Sequence, residues 1–215
     1  MGHLLRTGYP SDAEREADML LFLVAGSDTS AHTIAHTIYG VATNPEICRK
    51  VQAELDQINP ERREWTQNLV LELSYTLLVI KESMRLWPVA GDGVVREAAA
   101  DLQVGECLIP QGATCHIVLF PAFRSTRLED PDSFRPERFQ DGSPEKDWLE
   151  EHVLPFASGP RKCLGMNLAQ TQIRIIPATL LQRFSFQKVG AEDPPLELGL
   201  TLFRKNFKVI PRSRV

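Results

Sequence analysis

The stretch Phe156-Ala157-Ser158-Gly159-Pro160-Arg161-Lys162-Cys163-Leu164-Gly165 places a cysteine in a glycine-punctuated loop, directly before a helix-like segment. Gly159 permits a backbone conformation that is closed to residues with a Cβ, and Gly165 removes side-chain bulk where the following helix begins. Arg161 stands two positions before the cysteine, and its guanidinium is suited to pair with a carboxylate. A thiolate presented in this way can be the axial ligand of a haem iron. The alternative is a buried structural cysteine, which is what a lone cysteine usually is.

This decapeptide resembles the haem-binding signature of the cytochrome P-450 family, which fixes a phenylalanine, two glycines, an arginine and a cysteine at set spacings. Every fixed position is filled here, by Phe156, Gly159, Arg161, Cys163 and Gly165. The resemblance implies that Cys163 ligates the iron of haem b (iron protoporphyrin IX) and that the other four residues help to bind the cofactor. Because the spacing fixes five residues rather than one, it favours the haem site over a structural cysteine.

A second pattern, Ala25-Gly26-Ser27-Asp28-Thr29-Ser30, lies inside a long helical stretch. The Thr29 hydroxyl can donate to the Ala25 carbonyl, and Gly26 weakens the same turn, so we expect a local opening of the helix there. Asp28 and Thr29 place an acid and an alcohol beside that opening. In the resembled family this is the distal helix over the haem, and the resemblance implies that the pair is catalytic and delivers protons to dioxygen. The structural alternative is a polar patch on a half-exposed helix.

A third pattern is the pair Glu82 and Arg85, three residues apart on a helix that is apolar nearly all round. This placement predicts a buried ion pair, and a buried pair needs further partners. In the family, a Glu-x-x-Arg helix and the arginine of a Pro-Glu-Arg-Phe-like segment form a salt-bridge cluster behind the cysteine loop. The resemblance therefore assigns Glu82, Arg85 and Arg138 a structural role. It also assigns Arg96, in the first predicted strand, a contact with a haem propionate.

These segments follow one another in the order that the family requires. The resemblance implies a mainly α fold with small β-sheets, which is the C-terminal half of the cytochrome P-450 fold. We expect one partial domain over residues 1–215, with the N-terminal half of the fold absent. Family members are longer and begin with a membrane anchor or an equivalent leader, so contact with a membrane is expected only through that absent segment. A full-length eukaryotic relative would be anchored in the endoplasmic-reticulum membrane and face the cytosol, but the location of this chain is not indicated.

Helix start and stop signals predict the elements between these segments. Ser11 and Glu14 form a capping box, Asn44-Pro45 ends one helix and begins the next, and the Glu-x-x-Arg helix must end before Pro88. Further elements are predicted as short strands from Val94 to Leu119, a coil from Arg124 to His152, a helix from Leu164 to Phe184, and strands around Leu200 to Ile210.

Three positions depart from the family pattern. Pro177 lies inside the helix after the cysteine, where it should kink or end that helix. Gln172 stands where the family usually has a glutamate. Phe123 precedes Arg124 where a histidine is common, which argues against a propionate contact from this strand end. None of the three touches the iron ligand.

Composition limits the function further. The 215 residues are 43% apolar and 24% charged, an ordinary globular mixture. The net charge of −4 and the lack of a basic tract with interleaved aromatic residues give no reason to expect a nucleic-acid partner, and we expect none. The longest apolar run, Met19 to Ala25, is too short to span a bilayer.

The remaining cysteines and two histidines give no sign of another site. Cys48, Cys107 and Cys115 form no Cys-x-x-Cys pair and have no regular spacing, which fits a reducing compartment, and we interpret them as small buried hydrophobic residues. His32 and His36 lie one helical turn apart, but the sequence offers no third ligand. We therefore interpret them as hydrogen-bonded histidines rather than metal ligands.

The resemblance implies a haem-thiolate monooxygenase that activates O2 and hydroxylates an organic, lipophilic substrate. Electrons would come one at a time from an NADPH-dependent reductase, and the positive charge of Arg161 and Lys162 suits an acidic partner. Two alternatives stay open. One is a haem-thiolate enzyme that rearranges peroxides, against which the presence of Thr29 counts. The other is a non-catalytic remnant that cannot hold haem.

Overall fold

The computed structural model describes residues 8–214, which form a mainly helical molecule. The α-helices in this part of the chain are α1 (Asp12–Thr43), α2 (Pro45–Ile58), α3 (Gln67–Leu71), α4 (Tyr75–Leu86), α5 (Leu119–Ala122), α6 (Lys146–His152) and α7 (Met166–Arg183). Two 3-10 turns cover Pro136–Phe139 and Gly159–Arg161. None of the described helices is long and apolar enough to cross a membrane.

The strands pair into four small antiparallel sheets within residues 8–214. The pairs are β1 (Val94–Glu97) with β4 (Thr114–Ile117), β2 (Leu102–Val104) with β3 (Cys107–Ile109), β5 (Phe184–Lys188) with β8 (Val209–Ser213), and β6 (Leu196–Leu198) with β7 (Leu202–Arg204). The strands expected between Val94 and Leu119 and near the C-terminus are therefore confirmed. The mainly α class with small sheets is confirmed as well.

The helices begin and end where the sequence predicts. The Ser11 hydroxyl accepts the Glu14 N–H at 3.2 Å and caps α1. Asn44 separates α1 from α2, and Pro45 opens α2, where a missing N–H leaves no bond unmade. Helix α4 ends at Leu86, two residues before Pro88.

A carboxylate from α2 caps the N-terminus of α4. Glu54 accepts the backbone N–H groups of Ser74, Tyr75 and Thr76 at 2.8, 2.6 and 2.7 Å. It also accepts the hydroxyl hydrogens of Ser74 and Thr76 at 2.9 and 2.6 Å. Burial acts to raise the pKa of Glu54, but these hydrogen bonds outweigh the burial and lower its pKa below the ordinary value. The start of the Glu-x-x-Arg helix is thereby fixed to α2.

The main core lies where the C-terminal half of α1 packs against α2, α4 and α7. Its fully buried members include Val41, Val51, Leu55, Val79, Ala178 and Leu181. Packing is tight enough that a Cβ added to Gly40 would lie 2.5 Å from the Phe134 ring. The N-terminal half of α1 is different, because the consecutive side chains from Leu20 to Val24 are 40% to 66% exposed. One helix therefore has a buried half and a bare apolar half.

The predicted opening of α1 is wrong, and of the two outcomes predicted at Pro177, a kink or an end of the helix, the end is excluded. Helix α1 runs without a break through Gly26 and Thr29, because the Thr29 hydroxyl shares the Ala25 carbonyl at 2.7 Å with the helical main chain. Helix α7 does not end at Pro177 but continues to Arg183. Pro177 is buried in this helix, so tertiary packing outweighs its low helix propensity.

Two further local predictions need correction. The segment from Arg124 to His152 is not all coil, since its last residues form α6, held by Leu149, which is completely buried against Phe139 and its neighbours. Cys107 is not buried, because the β2–β3 hairpin that carries it is exposed over most of its length, and Cys48 and Cys115 are half-buried.

Candidate functional site

A cavity of about 240 Å³ lies between α1, the start of α7 and the loop that carries Cys163. Its apolar walls include Met84, Val89, Val94, Leu119, Ala169 and Ile173. The polar residues that line it include Cys163, Thr29 and Arg161. An apolar cavity with a few convergent polar groups is typical of a cofactor or small-molecule site. The structure thus brings together the cysteine loop and the Asp-Thr segment of α1, which the sequence places far apart.

The cysteine loop is shaped by its own backbone. Gly159 adopts φ +70°, a conformation that a residue with a Cβ rarely takes, and it opens the 3-10 turn Gly159–Arg161. The Cys163 N–H then donates to the Phe156 carbonyl at 2.9 Å and closes the loop. Cys163 is an exposed free thiol. A Cβ at Gly165 would lie 4.0 Å from its sulfur, so the glycine leaves open space beside the thiol.

Arg161 lines the cavity and is exposed. Within residues 8–214 its guanidinium has no hydrogen bond or ion pair, so its charge is available to an anionic group of a ligand. Arg96 is exposed on β1 and donates to the Val95 carbonyl at 2.8 Å. It does not line the cavity, but Val94, two residues earlier on the same strand, does. Residues two apart on a strand share a face, so Arg96 lies on the cavity side of β1.

The structure separates Asp28 from Thr29. Thr29 lines the cavity, and its hydroxyl donates to the Ala25 carbonyl at 2.7 Å. Asp28 does not line it; its carboxylate accepts the Thr201 hydroxyl at 2.6 Å instead. Sequence reasoning missed Thr201, which lies in a turn between two short strands and carries no motif that could have revealed it.

Glu82, Arg85 and Arg138 meet in a buried cluster. Arg85 donates twice to the Glu82 carboxylate, from Nε at 2.7 Å and from Nη2 at 2.8 Å. Arg138 Nε lies 3.3 Å from Glu82 Oε1, close enough for an ion pair although the angle is poor for a hydrogen bond. The two arginines and Glu82 are at most 1% exposed.

Glu145 completes this cluster and was missed from the sequence. Arg138 Nη1 donates to both of its carboxylate oxygens, at 2.8 and 2.9 Å. Burial acts to raise the pKa of Glu145, but hydrogen bonds from the Glu129 N–H, Arg135 and Arg138 prevail and lower it. One signal could have revealed such a residue: the three residues named from the sequence carry a net positive charge, and a buried charge has to be balanced.

The residues at and next to the positions that depart from the family pattern make other contacts in the structure. Phe123 is 2% exposed in a core cluster, and its carbonyl accepts Arg85 Nη1 at 3.0 Å. Arg124 stacks on the Phe120 ring at 3.7 Å and donates to the Leu86 carbonyl, away from the cavity. Gln172 is half-buried on α7.

The two histidines of α1 are hydrogen-bonded, in line with their interpretation from the sequence. His36 is 1% exposed, and its Nδ1 lies 3.1 Å from the Trp87 carbonyl. Burial, followed by the nearby charge of Arg204, lowers the pKa of His36 to about 3. His32 Nδ1 lies 2.7 Å from the Thr201 hydroxyl. Over residues 8–214 no three His, Cys, Asp or Glu side chains are grouped so that they could hold a metal ion.

The residues around the cavity fit a haem in the chemistry of their donors. The thiol of Cys163 supplies a soft ligand for iron, and the apolar walls suit the face of a macrocycle. The unpaired Arg161 guanidinium suits a propionate carboxylate. Gly165 leaves the space next to the sulfur empty of side-chain atoms.

Comparisons with known proteins agree with this chemistry. The family model described as "Cytochrome P-450" matches residues 5–211. Cytochrome P-450 3A11 of Mus musculus is 34% identical over 212 residues, which are 95% of this chain and 42% of the relative. Cytochrome P-450 3A28 of Bos taurus is 34% identical over 210 residues, which are 94% of this chain and 41% of the relative.

The fold has a solved counterpart. The crystal structure of a cytochrome P-450 (CYP102L1) superposes with a TM-score of 0.89 at 29% identity, over 99% of this chain and 50% of that one. The predicted fold, the C-terminal half of such an enzyme, is confirmed. The chain spans about two fifths of the curated relatives and half of the solved chain.

Proposed function

The chain belongs to the cytochrome P-450 family, and on this premise we propose that it forms the haem-binding half of a haem-thiolate monooxygenase. Members of the family are haem-dependent oxidoreductases. The proposal is carried by one observation: Cys163 and Thr29 line the same apolar cavity. In this proposal residues 1–215 act as one partial domain, the cofactor is haem b, and the reaction hydroxylates a small lipophilic substrate with O2.

Several residues of this chain would hold the cofactor. Cys163 would ligate the iron, and Arg161 would pair with a propionate carboxylate, which the exposed Arg96 on β1 could also reach. The ring of Phe156 and the apolar cavity walls would contact the macrocycle and exclude water. Haem, when bound, supplies the redox and oxygen chemistry that side chains cannot.

In this proposal Thr29 and Asp28 deliver protons to the cavity. The Thr29 hydroxyl gives its hydrogen to the Ala25 carbonyl at 2.7 Å, so its oxygen can still accept a hydrogen bond, and Thr29 lines the cavity. It can therefore orient a water or another proton donor at the cavity wall. Asp28, the next residue on α1, would pass protons to that donor from outside the cavity.

Electrons would come from an NADPH-dependent reductase. Arg161 and Lys162 are exposed on the cysteine loop and give this surface a positive charge. An acidic surface on the reductase would be attracted to it.

The first test of the proposal is the absorption spectrum of the purified chain after addition of haem, reduction and exposure to carbon monoxide. We expect a Soret band at the position typical of thiolate ligation. Cys163→Ala should abolish that band, because no other thiol lines the cavity over residues 8–214. The matched control is Cys107→Ala, which removes another exposed free thiol and should leave the band unchanged. A thiolate-type band that persists in Cys163→Ala would contradict the assignment of the ligand.

A second candidate function is a non-catalytic remnant that does not hold haem. The observation in its favour is the bare apolar surface from Leu20 to Val24, on the helix that should cover the cofactor. The same spectrum separates the two candidates. Absence of any haem absorbance, with the chain still folded by circular dichroism, would support the remnant.

A further inference from the structure

A polar cluster outside the cavity joins α1 to the turn between β6 and β7. Thr201 is 4% exposed, and its hydroxyl oxygen lies 2.6 Å from Asp28 Oδ2 and 2.7 Å from His32 Nδ1. Asp28 Oδ2 and His32 Nδ1 are themselves 3.6 Å apart, one helical turn from each other on α1. One buried hydroxyl therefore contacts both an imidazole and the acid of the proposed proton path.

The positions of the hydrogen atoms in this cluster follow from how many hydrogens each group can donate. A hydroxyl has one hydrogen, and an ionised carboxylate can only accept. The Thr201 hydrogen therefore goes to Asp28, and the contact with His32 must be made by a hydrogen on Nδ1 of the imidazole. A neutral His32 consequently carries its ring hydrogen on Nδ1 and leaves Nε2 as an acceptor.

Contacts made by its neighbours fix the position of Thr201. The Leu202 N–H donates to the Val89 carbonyl at 2.8 Å, and Val89 lines the cavity. Phe203 stacks on the His32 ring, with the centroids 5.3 Å apart and the planes 20° from parallel. The turn is thereby tied to both α1 and the cavity wall, so the hydroxyl is held in place rather than carried on a loose loop.

We propose that Thr201 and His32 are positioning residues that hold the Asp28 carboxylate beside the start of the proton path to Thr29. This inference rests on the proposed function and adds two residues to it. Thr201 supplies the donor to Asp28, and His32 sets the direction of the hydroxyl. The side chain of Asp28 is 35% exposed, so without the hydroxyl it is free to turn into solvent.

The first experiment measures the hydrogen position directly and needs no haem. A long-range ¹⁵N NMR spectrum of the histidine rings is recorded in mildly alkaline buffer, and the His32 signal is identified by its absence in His32→Gln. We expect the ring hydrogen on Nδ1. A His32 ring that carries its hydrogen on Nε2 alone would overturn the inference, because Thr201 would then donate to His32 and not to Asp28.

The second experiment tests the positioning role in the haem-loaded chain with an NADPH-dependent reductase. The rate of NADPH oxidation is measured in H2O and in D2O. We expect Thr201→Val to slow oxidation at least about threefold and to raise the solvent isotope effect, since a positioned proton donor supplies on the order of 10²-fold or more. Thr201→Ser, which keeps the hydroxyl, should retain the wild-type values.

The matched control is Thr37→Val, which removes a buried hydroxyl whose single hydrogen-bond partner among residues 8–214 is the Thr33 carbonyl on α1. Its rate and isotope effect should equal those of the wild type. A thiolate-type spectrum together with an unchanged rate and isotope effect in Thr201→Val rejects the positioning role alone. A chain that shows no thiolate-type spectrum rejects the proposed function instead, and the NMR result still decides the hydrogen-bond arrangement.

Discussion

Two arginines and two carboxylates form a row of buried ion pairs next to α4, in which two positive charges balance two negative ones. Glu82 lies between Arg85 and Arg138, while Glu145 neutralises the far side of Arg138. Removal of one member leaves a buried charge without compensation, which is far more destabilising than loss of a surface pair. The cluster therefore acts as a unit in which no single residue can be exchanged freely.

Arg138→Met tests this dependence. We expect it to lower the free energy of unfolding by about 3–5 kcal/mol, because Glu82 and Glu145 each lose a buried partner. The measurement is urea unfolding followed by circular dichroism.

The control for Arg138→Met is Arg49→Met, which breaks the Arg49–Glu46 pair, whose side chains are 72% and 62% exposed. This change should cost at most about 1 kcal/mol, as exposed pairs do. An equal decrease in the free energy of unfolding in the two variants would show that the buried cluster stabilises the fold no more than an exposed ion pair does.

At this scale the sequence predicted the residues that belong to motifs and missed those that do not. Glu82, Arg85 and Arg138 could be grouped because their spacing resembles a family pattern. Glu145 and Thr201 could not, because each lies in an irregular segment and reaches its partner through tertiary packing alone. The position of Asp28 was missed for the same reason, since its carboxylate contacts Thr201 outside the cavity.

The N-terminus of α4 is capped by a residue of another helix. Its N-cap residue, Ser74, makes no side-chain cap of its own, and Glu54 of α2 accepts the free N–H groups instead. A negative charge at a helix N-terminus also interacts favourably with the helix dipole. The orientation of the helix that carries Glu82 and Arg85 is thus coupled to α2.

Glu54→Gln should make this coupling measurable through its pH dependence. The folded-state pKa of Glu54 is lowered, so its contribution is present above the pKa of the unfolded chain and is lost as pH falls through the folded-state pKa. We expect the variant to be about 1–2 kcal/mol less stable than the wild type at neutral pH, the range found for loss of a helix cap. The difference should shrink as pH falls below 4.5, the ordinary pKa of a glutamate, and then through the lowered folded-state pKa. The measurement is urea unfolding of the wild type and the variant at neutral pH and again at the lowered pH.

The control for Glu54→Gln is Glu72→Gln. The Glu72 carboxylate is exposed and has no hydrogen-bond partner among residues 8–214, so its loss should change stability by less than about 0.5 kcal/mol at either pH. A difference between wild type and Glu54→Gln that does not vary with pH would show that the charge of Glu54 is not what holds α4.

Element boundaries were predicted well wherever a local signal marks them. Ser11, Asn44-Pro45 and Pro88 act within a few residues of their own position, so the chain needs no tertiary information to obey them. The helix does not end at Pro177 and α6 was missed, because packing decides in both places: Pro177 is buried within α7, and Leu149 anchors α6 to the core. Predictions from local sequence signals fail where tertiary packing contributes more to stability than the local signal does.

The whole molecule is asymmetric along its longest helix. From Ser30 to Val41, residues of α1 are buried against α2, α4 and α7, whereas the side chains from Leu20 to Val24 face solvent. The apolar character of this stretch is visible in the sequence, and its exposure depends on which other segments are present to cover it. The cavity and the Asp28–Thr201 contact lie close to the change from bare to buried helix.

This asymmetry predicts that α1 does not open as one cooperative unit. Amide deuterium exchange, read by mass spectrometry of peptic fragments, should show fast uptake over residues 13–24 and slow uptake over residues 33–41, because only the second segment is locked by tertiary packing. Uniformly slow uptake would mean that the first segment is shielded by a second molecule in solution. Uptake in the first segment should then rise on dilution. One continuously hydrogen-bonded helix would thus contain a first part that opens readily and a second part that stays closed. The proposed proton path begins where these two parts meet.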